Sequence, residues 1–288
     1  MGLPREFVVF DTETTGMPPG ARLVELGAIK VRGDQIVERF QELIFPELPI
    51  PPKTTEVHGL SDQDVARSRT AAEVVPEFLD WIGKLPLFGH NVSFDATMLA
   101  CECGRLAISP PENETYCTLS AARSLLSFRS NSLSNLANEF GIDTGRAHRA
   151  ADDSETTLQL LWKLLEIADK GFKMEQLGSG ASVASFAPGP VRLVGSKAHL
   201  WNAAQTAEAV DLHYRNANGY LMQARVTPRF FFPSRNTAVM EALCHSEGHY
   251  KNYRIERIQA VHPCPEAPRV RVRRPNPAPP PAEQPGLW

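Results

Sequence analysis

The chain has 288 residues, a net charge of −3, and 42% hydrophobic against 22% charged residues, the balance of an ordinary globular protein rather than a disordered or fibrous one. No apolar run reaches the length of a membrane span, the opening MGLPREF lacks the apolar core of a signal peptide, and five scattered cysteines make no disulfide framework; a cytoplasmic protein with no membrane partner is expected. Residues 1–190 carry 17 Lys and Arg against 26 Asp and Glu, and residues 191–288 carry 13 against 7, so the front excludes DNA binding by overall charge while the rear is compatible with a phosphate-binding surface.

Phe7, Val8, Val9 and Phe10 form a continuous apolar run, which reads as a buried strand. Asp11 and Glu13 follow at period 2, so both carboxylates point to one face of it. Two anions at the end of a buried strand are costly unless something cationic sits between them, and a divalent metal ion is the obvious candidate. The plainer reading is a strand emerging into solvent, with Thr-Gly turning the chain. This stretch alone leaves the two even.

RLVELGAIKV and QIVERFQELI read as two further strands joined by a tight hairpin at RGD. LIFPELPIPP is too proline-rich for strand interior or helix. HGLSDQDV offers a helix start, with Ser61 as cap and Asp62 and Asp64 in the first turn. Val74, Val75, Phe78, Leu79 and Ile82 then recur at helical spacing. LPLFGHN is a short buried strand stopped by Gly89, and SFDATMLACECG a helix capped by Ser93 and ended by Gly104, with Cys101 and Cys103 as free thiols on it. TYCT is another short strand, and helical patterns follow at LSAARSLL, at LSNLANEFG and from Arg149 to Ala168. Antiparallel strands first and strand-helix alternation after predict a mixed α/β sheet with helices on both faces, over residues 1–170.

Residues 171–190, rich in Gly, Ser, Ala and Pro, read as a linker. Residues 191–265 carry short strands divided by NANG, SRN and SEGHYK, which predicts a small, strongly curved, barrel-like all-β domain. Residues 266–288 are a proline-rich, disordered tail.

Two further sites fit the metal hypothesis. Asp95 lies on the first turn of the helix after Gly-His-Asn, and in GRAHRAADDSETT His148 precedes Asp153 by five residues at the start of the last helix. Such strand ends and helix starts can converge on one end of a sheet. Hard oxygen ligands with no cysteine favour Mg²⁺ or Mn²⁺ over zinc. Four carboxylates around two cations suit in-line displacement at phosphorus, and a histidine suits the proton abstraction.

FDTETTG, GHNVSFD and HRAADD, in this order and at these spacings, resemble the three motifs of the DEDDh (DnaQ-like) exonuclease family, which includes the proofreading subunit of bacterial DNA polymerase III and ribonuclease T. RLVELGAI, VHGLSDQDV and TYCTLSAARSL agree, so the resemblance covers roughly residues 5–168. It implies a ribonuclease H-like fold that removes nucleoside 5′-monophosphates from 3′ ends. By resemblance, Asp11, Glu13, Asp95 and Asp153 hold two divalent ions, Mg²⁺ or Mn²⁺, and His148 is the general base. Four residues between His and Asp select Asp153 over Asp152, which is taken as a solvent-facing helix acid. Thr14, Thr15 and Gly16 could let backbone approach the terminal nucleotide, His58 matches the family's His-Gly pair, and Phe94 either faces a base or simply packs in the core. His90 is expected to be a structural hydrogen-bonding residue.

The rear part, from VDLHYRN through RVTP to RIERIQAV, resembles the WYL domain of bacterial regulators, although Val239–Leu243 stands where the naming triplet would be. Such domains bind nucleic acids or small ligands through basic side chains. Arg215, Arg225, Arg254 and Arg257 are the candidates here, with Tyr214 or Tyr253 to stack on a base. A solvated basic face that only packs on the nuclease is the bland alternative.

The expected partners are single-stranded nucleic acid or 3′ ends of duplex DNA, with the tail as a place for a polymerase or repair partner. The rival from another class is an idle binding or regulatory protein, but an idle scaffold has no reason to keep four acids and the histidine. A ribonuclease H-type endonuclease shares fold and metals; the His148–Asp153 arrangement favours the exonuclease.

Overall fold

In the strand β1 (Glu6–Thr14), Phe7 and Val9 go to one face and Val8 and Phe10 to the other, and all four are buried, so it lies in the middle of a sheet covered on both sides. The computed structural model describes residues 2–145, 148–235, 237–264 and 266–276. β2 (Leu23–Arg32) and β3 (Gln35–Phe45) continue β1 as an antiparallel meander. A short helix α1 (Pro52–His58) leads to the two-residue β4 (Arg69–Thr70) and the helix α2 (Ala71–Ile82). β5 (Leu87–Gly89), α3 (Ser93–Arg105), β6 (Thr115–Cys117), α4 (Thr118–Leu125), α5 (Leu133–Phe140) and α6 (Ala150–Ala168) complete the first unit.

The sheet order is β4-β3-β2-β1-β5-β6, with β5 parallel to β1 and β6 parallel to β5, so the sheet is mixed as expected. Val74, Phe78, Met98 and Leu99 from α2 and α3 cover the Val8/Phe10 face. Ala121, Leu136, Leu160, Leu161 and Leu164 from α4, α5 and α6 cover the Phe7/Val9 face. Asp11 and Glu13 share the latter face by alternation, so α6 lies over them.

The second unit is a five-stranded antiparallel sheet of order β10-β9-β8-β7-β11, formed by β7 (Ala209–Arg215), β8 (Leu221–Ser234), β9 (Thr237–Cys244), β10 (His249–Arg254) and β11 (Ile258–Cys264). A helix α7 (His199–Thr206), which the strand pattern does not announce, packs on it through buried Leu200 and Ala203, with the Trp201 ring 4.4 Å from that of Phe231. The two units meet where Phe230 and Phe232 of β8 and Val239 of β9 pack on Cys101 of α3. Gly104 makes room there, since a β-carbon would fall 2.6 Å from the Phe230 ring.

Some local expectations fail for physical reasons. The predicted helix start at Ser61 is a turn, in which Asp64 accepts from both the amide and the hydroxyl of Ser61. The helix of this region instead begins at Pro52, at a first-turn position where a missing N–H costs nothing. Ser93 does not cap α3; Val92 precedes it with no side-chain cap. Segment 171–190 lies against the first unit, with Leu177 and Val183 fully buried and the Thr115 amide donating to Ala181. Of the expected disordered tail, residues 277–288 lie outside the described residues. Residues 268–276 have no helix or strand, yet Arg274 donates to the carbonyls of Ala66 (3.0 Å) and Ser68 (2.7 Å). Among the described residues no helix is long and apolar enough to cross a membrane.

Candidate active site

Three chain segments meet at the C-terminal end of β1. β1 supplies Asp11 and Glu13, the first turn of α3 supplies Asp95, and the start of α6 supplies Asp153 with His148 just before it. Ligand atoms of Glu13, His148 and Asp153 all lie within 4.8 Å of one another. Asp11, His148 and Asp153 share the wall of a cleft of about 180 Å³ with His90, Leu133 and Thr144. All five sequence-predicted catalytic positions therefore come together.

Local structure explains each placement. Thr12 points to the opposite face from its neighbours and donates to Asp95 Oδ1 at 2.6 Å, tying α3 to β1. His148 sits at φ +62, a left-handed turn outside the helix, and its amide donates to Asp153 Oδ2 at 3.1 Å. α6 lies directly on β2, where Ser154 Oγ donates to the Gly27 carbonyl at 3.0 Å.

The electrostatics are those of a site lacking positive charge. Burial, then the charges of Asp95, Glu13, Asp153 and Glu25, hold the Asp11 carboxyl well above the ordinary range. Burial and the neighbouring acids push Glu13 up to about 8, although Arg149 opposes them. Burial raises Asp95 to about 7 against the hydrogen bond from Thr12. It raises Asp153 to about 6 against the pull of His148. Four carboxyls that resist ionising together, two of which, Glu13 and Asp153, gather with the His148 imidazole, fit a hard divalent cation.

A fifth acid belongs to the site and was missed by sequence reasoning. Glu25 of β2 stands opposite Glu13 in the antiparallel register, and Arg149 grips it at 2.9 and 2.8 Å. The Ala150 amide (3.2 Å) and Gln41 (3.2 Å) also donate to it. Burial alone would raise Glu25, but these partners outweigh it and hold it below its ordinary value. The available signal was a lone glutamate inside the apolar run LVELGAI, the same anomaly that marks Asp11 and Glu13.

Other predicted residues divide. Thr14 and Thr15 are buried, with hydroxyls spent locally on Gly16 and Arg22 and the Thr15 amide donating to the Arg22 carbonyl. Gly16, at φ +148, has open space where a side chain would stand. His58 is buried, its Nδ1 accepts from Leu60 at 3.1 Å, and burial lowers its titration. His90 is structural as expected: its ring nitrogens lie 2.9 Å from Thr118 Oγ1 and from the Asn131 carbonyl. Phe94 packs on the α2/α3 core, which favours the plainer reading.

Tyr214, Arg215, Arg225, Arg254 and Arg257 all belong to the second unit, at or beside its strands. Arg225 is neutralised by two bonds to Asp211 (2.8 and 2.9 Å), Arg254 lies 3.8 Å from Glu256, and Arg215 donates to Gly219. Tyr253, 5% exposed, is buried beneath Tyr214 and the sheet and is not free to stack on a base, which corrects that expectation.

Comparison with known proteins adds kinship to this geometry. The exonuclease family model, RNase T, matches residues 8–161, and the WYL domain model matches residues 197–263. The PolC-type DNA polymerase III of Thermotoga maritima is 35% identical over 165 residues, 57% of this chain and 12% of that protein. Its Bacillus subtilis counterpart is 33% identical over 171 residues, 58% of this chain and 12% of that protein. The chain thus spans about an eighth of the length of these curated relatives. Among solved structures, Escherichia coli exonuclease I in complex with a dT13 oligonucleotide aligns with a TM-score of 0.51 at 16% identity, over 83% of this chain and 55% of that one. Exonuclease I of Methylocaldum szegediense aligns with a TM-score of 0.50 at 19% identity, over 83% and 54%. These structures share the fold.

Proposed function

The chain belongs to the exonuclease family, and on that premise we propose that it is a metal-dependent 3′–5′ exonuclease that releases nucleoside 5′-monophosphates from 3′ ends of DNA or RNA. The observation that carries this reading is the convergence of Glu13, His148 and Asp153 within 4.8 Å, on a cleft that Asp11 also lines.

In this reading Asp11, Glu13, Asp95 and Asp153 hold two divalent ions, Mg²⁺ or Mn²⁺. Bound there, the ions would neutralise phosphate charge and make water a better nucleophile. His148 takes the proton of the attacking water; its exposed position on a left-handed turn lets the imidazole face a substrate while Asp153 anchors its amide. Arg149 bonds Glu25, which keeps Glu25 ionised beside the four acids that would hold the metals. The Thr14–Gly16 backbone receives the terminal nucleotide, where the bare Gly16 leaves the approach open. Single strands and 3′ ends of duplexes are the proposed substrates.

The second unit supplies an accessory nucleic-acid surface, to which Tyr214, Arg215 and Arg257 contribute more than the neutralised Arg225. Five cysteines without disulfides fit a reducing compartment, hence the cytoplasm. The test is product analysis. Matched single-stranded DNA, duplex DNA and single-stranded RNA are incubated with Mg²⁺ or Mn²⁺ and the products separated. Nucleoside 5′-monophosphates are expected from the start; oligonucleotide products instead would make the chain an endonuclease.

A further inference from the structure

Six charged side chains close a ring of alternating sign between the two units. Arg22 Nε lies 2.8 Å from Glu102, Glu102 lies 3.6 Å from Arg105 Nη1, and Arg105 Nε lies 2.9 Å from Glu241. Glu241 lies 2.8 Å from Arg229, Arg229 lies 2.7 Å from Glu47, and Glu47 returns to Arg22 at 3.0 Å. Arg22, Glu102, Arg105 and Glu241 are almost wholly buried. The Arg229 guanidinium also lies 3.3 Å over the Tyr250 ring.

Four members belong to the first unit and two, Arg229 and Glu241, to the second. Each unit balances its own charges, Arg22 and Arg105 against Glu47 and Glu102 in the first and Arg229 against Glu241 in the second, but without the second unit Glu47 keeps only Arg22 and the buried Arg105 loses its closest carboxylate. A desolvated charge with a missing partner is strongly unfavourable, so the ring holds its members to one geometry.

That geometry is passed to the site. Arg22 ends the loop that starts at Thr15: the Thr15 amide donates to the Arg22 carbonyl at 2.9 Å, and the Arg22 amide donates to Thr15 Oγ1 at 2.9 Å. Arg105 Nη2 donates to the Pro19 carbonyl at 2.7 Å. Asn252 of the second unit donates to the Gly20 carbonyl at 3.0 Å, and Phe232 stands 3.2 Å from where a Gly20 β-carbon would be. Glu102 and Arg105 lie on the same helix as Asp95. The second unit therefore grips the loop that follows Glu13 and the helix that bears Asp95.

We propose that the C-terminal unit is a working part of the nuclease site, in which Arg229 and Glu241 are positioning residues that set the 16–22 loop to receive the 3′-terminal nucleotide. The catalytic part of this inference rests on the exonuclease reading; the grip on the loop does not. It gives the C-terminal unit a role apart from any nucleic-acid binding of its own.

The test uses the full chain carrying Arg229→Met, with Glu241→Gln as the isosteric variant should Arg229→Met fail to fold, and thermal melts to establish folding. Amide hydrogen exchange of residues 14–22 is followed alongside kcat and KM on a single-stranded oligonucleotide with Mg²⁺. Exchange at 14–22 is expected to quicken about tenfold or more, and KM to rise about tenfold with kcat changed less than about threefold. Unchanged exchange at 14–22 in a folded variant would overturn the proposal, as would unchanged KM in an active one. A wild-type protein inert on every substrate would refute the exonuclease reading instead, and the exchange measurement would still decide whether the ring holds the loop.

Discussion

The backbone of Gly27 lies so close to that of Ala151 that a β-carbon on Gly27 would fall 2.2 Å from the Ala151 nitrogen. This contact sets how near the start of α6 comes to the sheet, and so where Asp153 stands relative to Asp11 and Glu13. Gly27→Ala leaves α6 no choice but to move, because the obstacle is backbone. The expected result is a fall in kcat/KM of about 10²-fold with a stability loss of about 1–3 kcal/mol, read by steady-state kinetics and urea melts. Wild-type kinetics in that variant would show that Asp153 is placed by something other than this contact.

Arg149 makes a second structural prediction. Glu25 is wholly buried, and Arg149 is its only cationic hydrogen-bond partner among the described residues. Arg149→Met strands that carboxylate beside Glu13 and should destabilise the fold by about 2–4 kcal/mol. The double variant Arg149→Met/Glu25→Gln should recover most of the loss, since the stranded charge is then gone; chemical denaturation of the two variants decides it.

The raised carboxyls fix a sign for pH dependence. Glu13 moves from an ordinary 4.5 to about 8 in the folded, metal-free protein, so the fold binds a proton there that the unfolded chain releases earlier. Its contribution is intact below about pH 4.5 and is lost as pH rises toward 8. Glu13→Gln, which has no proton to lose, should match the wild type in melting temperature near pH 4.5 and exceed it by a margin that widens up to pH 8. His58 and His90, both lowered by burial, push stability the other way, but they are common to both proteins and cancel in the difference. Added Mg²⁺ should close the gap at pH 8 by raising the wild type alone.

His148 is predicted to act in the chemical step rather than in holding the fold. His148→Gln should lower kcat by about 10²–10⁴-fold with little change in KM or melting temperature. An equal loss in kcat/KM through KM alone would recast it as a binding residue.

The proposed catalytic positions were legible in two ways, Asp11 and Glu13 by breaking a local rule and Asp95 and Asp153 by the spacing of the motifs that hold them. Asp11 and Glu13 put acid at period 2 on a buried strand, and Asp95 and Asp153 open helices that run back along the sheet. Glu25 broke the same rule within LVELGAI, but its meaning depended on the strand register that sets it against Glu13. The Arg22–Glu241 ring could not be read at all, because its members lie up to 219 positions apart and each alone resembles an ordinary surface charge. Helix α7 was hidden for a similar reason: its apolar side is only Leu200 and Ala203, with Trp201 half turned to a strand it meets through tertiary packing. Pro52 misled in the other direction, since proline suppresses helix interiors but favours helix starts.

The most direct measurement is on a 5′-labelled single-stranded oligonucleotide, with wild type and Asp153→Ala side by side, in Mg²⁺ and in excess chelator. The account predicts a ladder that shortens one nucleotide at a time from the 3′ end, seen only with wild type in Mg²⁺. Equal cleavage by Asp153→Ala, or cleavage that persists in chelator, would contradict the assignment of Asp11, Glu13, Asp95 and Asp153 as a metal-dependent nuclease site.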